Sequence, residues 1–175
     1  MAFIPVVGAA AAMLPTHRQC TIEITNECRD YTLCNPSVYT SSGSSDTPLP
    51  PTINSFATGS ALFIEAPYSA CGCVAVFTYD LLKKDTRRHS EKMAVMFSVP
   101  YDFNLYSNWY AVGVFDKSEA CDYDLYCKMY YECDKTFVRG KANGPSLTCK
   151  GGPVTIRATM SDSYQPTIKV QVSKN

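Results

Sequence analysis

The chain has 175 residues, 46% of them hydrophobic and 18% charged, with 16 Lys+Arg against 16 Asp+Glu. That length supports one domain with a buried core, and a net charge of zero argues against the basic field of a nucleic-acid surface. No run of about 18 apolar residues is present, so no segment reads as a single membrane-crossing helix.

Residues 1–16 are apolar, Ala-rich and uncharged. Residues 9–14 suit a helix, restricted by Pro5 and Pro15 on its two sides. Helical from Met1 to Leu14, the segment would reach about 21 Å, short of the roughly 30 Å hydrocarbon core. It has the apolar stretch of a signal peptide without the basic residues that precede one. We therefore divide the chain into residues 1–16, an apolar N-terminal segment and candidate membrane-inserting helix, and a domain over residues 17–175.

In residues 18–26, Cys20, Ile22 and Ile24 alternate with Thr21, Glu23 and Thr25, the pattern of a half-buried strand. Residues 35–51, with the run SSGSSDTPLPP, read as a long surface loop with an edge strand near 37–41. Strands are expected at 61–66, 74–79, 93–99, 110–115, 154–159 and 167–172. Short, turn-separated strands of this kind make an all-β sandwich or barrel. Residues 83–92, KKDTRRHSEK, form a charged hairpin tip, either a solvated turn or a contact with anionic lipid headgroups.

Residues 97–110 carry five aromatics after Pro100 (Tyr101, Phe103, Tyr106, Trp109 and Tyr110) and one formal charge, Asp102. Pro100, Asn104, Ser107 and Asn108 are turn formers, which predicts an aromatic loop displayed on the β scaffold. Its chemistry suits a membrane interface, a platform for sugars or a choline cation, or packing beneath its neighbours.

Residues 121–133, CDYDLYCKMYYEC, predict a helix with Asp122 and Asp124 at its N-terminus. Tyr123, Tyr126, Cys127, Tyr130 and Tyr131 fall on one face. So many hydroxyls are costly to seal in a core, which points to the edge of a pocket.

Nine cysteines leave at least one without an intramolecular partner. Cys28 and Cys34 could staple a loop, and Cys121, Cys127 and Cys133 share a short segment; a reducing setting would keep all of them as small hydrophobes. Cys71-Gly-Cys73 lacks zinc-knuckle spacing and the chain has only His17 and His89, so no metal and no cofactor are expected. No catalytic motif is present, and the chain does not read as an enzyme.

The stretch SVPYDFNLYSNWY resembles the signature of the actinoporins, the sea-anemone pore-forming cytolysins, and their vertebrate and plant relatives. Ser42-Gly43-Ser44-Ser45-Asp46 followed by Leu49-Pro50 is similar to their S-G-x-S-D-x-x-L-P loop. Leu125-Tyr126 and Met129-Tyr130-Tyr131 resemble their helix tyrosines, and the resemblance runs from Arg18 to the C-terminal TIKVQVSKN.

It implies a mainly β chain, a single compact β-sandwich flanked by one or two short α-helices, secreted or released in soluble form to act at target-cell membranes as a homo-oligomeric pore. It also implies a phosphocholine site, preferring sphingomyelin, at Ser42, Val74, Ser98, Pro100, Tyr106, Tyr126, Tyr130 and Tyr131. A membrane-facing rim would comprise Tyr101, Leu105, Trp109 and Tyr110, with Leu105 and Tyr110 replacing aromatics of the anemone toxins. Arg139-Gly140-Lys141 stands where that family has an RGD-like tripeptide. The N-terminal segment is shorter and less amphipathic than the pore helix of the anemone toxins. Fungal fruit-body lectins share the fold, so a non-lytic module binding lipid or carbohydrate is the alternative.

Overall fold

The structure is a computed structural model and describes residues 17–67 and 70–175. The expected N-terminal helix lies outside these residues. Two six-stranded sheets pack face to face. The first orders β10 (Leu147–Gly151), β11 (Val154–Met160), β12 (Thr167–Lys174), β1 (Gln19–Asn26), β5 (Thr58–Ile64) and β3 (Ser44–Thr47). The second orders β4 (Thr52–Ile53), β2 (Tyr31–Ser42), β6 (Cys73–Lys83), β7 (Glu91–Val99), β8 (Trp109–Asp116) and β9 (Phe137–Lys141). Every ladder is antiparallel except β1 with β12.

The alternation in β1 does what it predicts. Cys20, Ile22, Ile24 and Asn26 are buried, and the residues between them are half-buried. Between the sheets Phe63 stacks near Phe77, with centroids 6.4 Å apart, and meets Phe97 edge-on at 5.1 Å. Each such side chain contributes roughly 1.5–3 kcal/mol by leaving water.

The central strands of the second sheet, β6, β7 and β8, are buried on both faces, which is why they read as nearly continuous apolar runs. Its outer face packs Val76, Ala94, Met96 and Ala111 against Leu125, Tyr126 and Met129 of α1 (Tyr123–Tyr131). The helix starts where its acidic residues predict: the Asp122 carboxylate accepts a hydrogen bond from the Leu125 N–H at 3.0 Å. Lys128 in the last turn pairs with Glu119 at 2.5 Å.

Much of the expected loop at 35–51 is strand. β2 is 12 residues long and continues through its turn formers because its register shifts between Cys34 and Ser37. Asn35 sits there in a left-handed conformation, φ 51°. A bulge of this kind absorbs an unpaired residue without ending the strand.

The charged hairpin after Lys83 joins the far ends of β6 and β7, whereas the aromatic loop follows Val99. The length of β7, about 27 Å at the strand rise, separates them. All nine cysteines are free thiols; Cys20, Cys28, Cys73 and Cys149 are buried, and no bridge joins Cys28 to Cys34. Among the described residues no helix is long and apolar enough to cross a membrane.

Candidate functional site

Cross-strand register assembles rows of side chains on the helix-bearing face of the second sheet, because directly opposed residues share a face. One row runs Tyr39, Val76, Met96, Ala111 and Arg139 across β2, β6, β7, β8 and β9. The next row, nearer the aromatic loop, runs Ser42, Val74, Ser98, Trp109 and Lys141. Ser42 reaches this face through a second register shift, between Thr40 and Ser42. Without the extra residue, alternation would turn Ser42 toward the inter-sheet core. Three of the expected site residues thus lie side by side on adjacent strands.

The helix supplies aromatic walls. Tyr126 and Tyr130 stack with centroids 5.7 Å apart, and Tyr130 meets Tyr131 edge-on at 4.7 Å. Tyr123 bridges Tyr126, at 6.4 Å, to Tyr39 of β2, at 6.1 Å, giving an unbroken chain of five rings. Val74 and Tyr130 pack against the same apolar cluster that holds Tyr126. Burial pushes the Tyr126 hydroxyl far above its ordinary range and the neighbouring tyrosines push it further. Tyr130 is raised by burial, then by Tyr131 and Tyr106, against an opposing pull from Arg139. Both phenols are therefore neutral near pH 7 and available as hydrogen-bond donors.

Tyr106 of the aromatic loop lies within electrostatic reach of Tyr130 on the helix. Tyr106 is exposed, as are Tyr101, Tyr131 and, at 74%, Leu105. Pro100 is half-buried and its carbonyl accepts from Arg18 Nε at 3.1 Å. The Arg18 guanidinium also donates to the Tyr101 carbonyl and faces the rings of Tyr101, Phe103 and Tyr164 at 5.2, 5.3 and 4.3 Å. At Gly72 a Cβ would come within 2.2 Å of the Val99 carbonyl oxygen, so only glycine lets this turn lie against the start of the loop.

One rim assignment changes. Tyr110 is 1% exposed and sits in the inter-sheet core, its hydroxyl donating to the Ala158 carbonyl at 3.3 Å. The reason is strand parity: β8 begins at Trp109, so its second residue faces inward while Trp109 faces out. Trp109 itself is half-buried beneath two cations, with Arg139 Cζ 4.2 Å and Lys141 Nζ 5.6 Å from its ring. It stands in the same cross-strand row as Ser42, Val74 and Ser98. The exposed apolar tip consists of Tyr101 and Leu105, with Tyr106 alongside.

Sequence reasoning missed Tyr39, Arg139 and the clamp of Arg18, Phe103 and Tyr164. Tyr39 falls within the row periodicity of β2, but the bulges hide that periodicity. Arg139 was visible only as part of a tripeptide. Among the described residues no group of three or more His, Cys, Asp or Glu converges as a metal site would require.

A model of the sea anemone cytotoxic protein family matches residues 9–174. An actitoxin of Anthopleura asiatica is 31% identical over 163 residues, covering 90% of this chain and 70% of that protein. Bryoporin of Physcomitrium patens is 39% identical over 103 residues, covering 58% of this chain and 54% of its own length. Cytolysin tenebrosin-B of Actinia tenebrosa is 34% identical over 105 residues, 60% of this chain and 45% of that protein. In structure the chain is similar to the lipid-binding protein Nakanori, with a TM-score of 0.70, covering 99% of this chain and 79% of that one at 9% identity, a likeness of fold. With its two-sheet sandwich and tyrosine-bearing helix, the chain belongs to the sea anemone cytotoxic protein family, the actinoporin-like cytolysins.

Proposed function

We propose that this protein binds the phosphocholine headgroup of membrane lipids, sphingomyelin preferred, and assembles on the bilayer as a pore-forming homo-oligomer. The observation that carries the reading is the chain of tyrosines on α1 standing beside Ser42, Val74 and Ser98 with Tyr106 at its edge. Ring faces attract a quaternary ammonium. Neutral phenols and serine hydroxyls donate to phosphate oxygens. The exposed Tyr101 and Leu105 supply apolar area to the interfacial region beside that pocket. Its family membership supports a membrane-active role, exercised from a secreted or released form at target-cell membranes.

The test is calcein release and co-sedimentation with phosphatidylcholine vesicles, with and without sphingomyelin. It compares the full chain, a version lacking residues 1–14, and the double variant Tyr106→Ala, Tyr130→Ala. Release that needs sphingomyelin, the N-terminal segment and both tyrosines supports the whole reading. Co-sedimentation without release retains the headgroup site and removes the pore. Binding that survives the double variant removes the site, and haemagglutination blocked by a simple sugar would favour a lectin.

A further inference from the structure

Arg139 is the least expected member of this site. It lies on β9 opposite Ala111, at the end of the row that begins with Tyr39. Its guanidinium lies over the Trp109 ring at 4.2 Å. Its Nε is buried and has no hydrogen-bond partner. Lys141 Nζ lies 5.6 Å from the same ring, so two cations flank one indole. Among the described residues no carboxylate forms an ion pair with either of them.

A chain with no net charge has thus concentrated unpaired positive charge at one end of its tyrosine site. A desolvated N–H without an acceptor is unfavourable and is relieved when an acceptor arrives. A guanidinium resting on an aromatic face keeps its N–H edge available in its own plane, the geometry that receives two phosphoryl oxygens together.

We infer that Arg139, with Lys141 behind it, is the residue that takes the phosphoryl group of the ligand, and that it restricts the site to headgroups carrying both an anion and a quaternary ammonium. This deepens the phosphocholine reading and rests on it. Tyr126 and Tyr130 hold the ammonium and Arg139 holds the phosphate, so choline alone, inorganic phosphate alone and a neutral sugar each satisfy at most half of the site. The pull of Arg139 on the Tyr130 hydroxyl shows that the two halves are within electrostatic reach of each other.

Trp109 is the only tryptophan in the chain, so its fluorescence reports this site directly. The experiment titrates that signal with phosphocholine, choline and inorganic phosphate at constant ionic strength, in the wild type, Arg139→Gln and Arg139→Lys. Sphingomyelin-containing vesicles form a fourth arm, to distinguish a lipid headgroup from the free anion. We expect phosphocholine to bind the wild type at least tenfold more tightly than choline. Arg139→Gln should weaken phosphocholine and vesicle binding at least tenfold, with choline binding not weakened because a like charge is removed, and Arg139→Lys should fall between.

Phosphocholine affinity unchanged in Arg139→Gln, with a wild type that binds it, would overturn the role of Arg139 and leave the pocket standing. A wild type that ignores phosphocholine would overturn the pocket and this assignment with it. Should Arg139→Gln fail to fold, the wild type alone decides: equal affinities for choline and phosphocholine overturn the proposal, and a tenfold preference for phosphocholine that salt erodes supports it.

Discussion

The guanidinium of Arg18 lies 4.3 Å from the ring centroid of Tyr164, and the same side chain donates to the carbonyls of Pro100 and Tyr101. One residue at the entrance to β1 therefore ties together the aromatic loop and the turn before β12. Arg18→Ala removes charge-assisted hydrogen bonds and cation–π contacts, which should cost about 2 kcal/mol or more. Its clearest effect is local: amides 101–106 should exchange faster with deuterium while those of β7 and β8 keep their protection. Uniform acceleration across the sheet would show that Arg18 supports the whole sandwich rather than the loop.

Tyr110 and Leu105 should behave oppositely. Tyr110 is buried with a satisfied hydroxyl, so Tyr110→Ala should lower unfolding free energy by about 3–5 kcal/mol. Leu105 is 74% exposed, so Leu105→Ala should change stability by less than about 0.5 kcal/mol. It should nonetheless weaken vesicle partitioning. Urea unfolding and vesicle co-sedimentation on the same two variants check both halves.

The cap of α1 offers a third test. Asp122→Ala leaves the Leu125 N–H without its acceptor and should destabilise the helix by about 1 kcal/mol. Because Tyr126 and Tyr130 stack from consecutive turns, the same change should reduce phosphocholine-vesicle affinity, and Asp122→Asn or Asp122→Ser should restore it. Rescue by asparagine, which caps without the charge, would assign the effect to the hydrogen bond rather than to the helix dipole.

Alkaline pH should destabilise the protein. Burial pushes the Cys28 thiol up to about 11 and the Cys73 thiol up to about 12, with nearby carboxylates adding to each shift. An unfolded thiol ionises near 8.5. Between these values the unfolded chain releases protons that the folded chain keeps, so stability is complete below about pH 8.5 and falls as pH rises toward 11–12. The slope approaches ~1.4 kcal/mol per pH unit for each thiol once the unfolded form is ionised. The urea midpoint should drop between pH 7.5 and 10, and Cys73→Ala should flatten that drop.

The strands that alternate plainly, such as Gln19–Asn26, and the helix with its acidic start were legible because period and cap act locally. The polar loop at 35–51 concealed a long strand because Asn35 and Pro36 occupy a bulge, and a bulge is specified by the partner strand rather than by local sequence. Tyr110 was misplaced for a related reason. In a run of aromatics, which ring faces the core depends on where pairing begins, and β8 begins at Trp109. Arg139 was out of reach because its meaning comes from Trp109 on the neighbouring strand, 30 positions away in sequence.

The parallel pairing of β1 with β12 gives the sandwich a mechanical property. β1 is clamped on one side by β12 and on the other by β5, with both ladders extending over nearly its full length. Tension applied along β1 from its N-terminal end loads both ladders in shear, so their hydrogen bonds must yield together rather than one at a time. A pull on residues 1–16 would therefore meet an anchor that resists peeling, and the sandwich could hold its shape while its leading segment is drawn away.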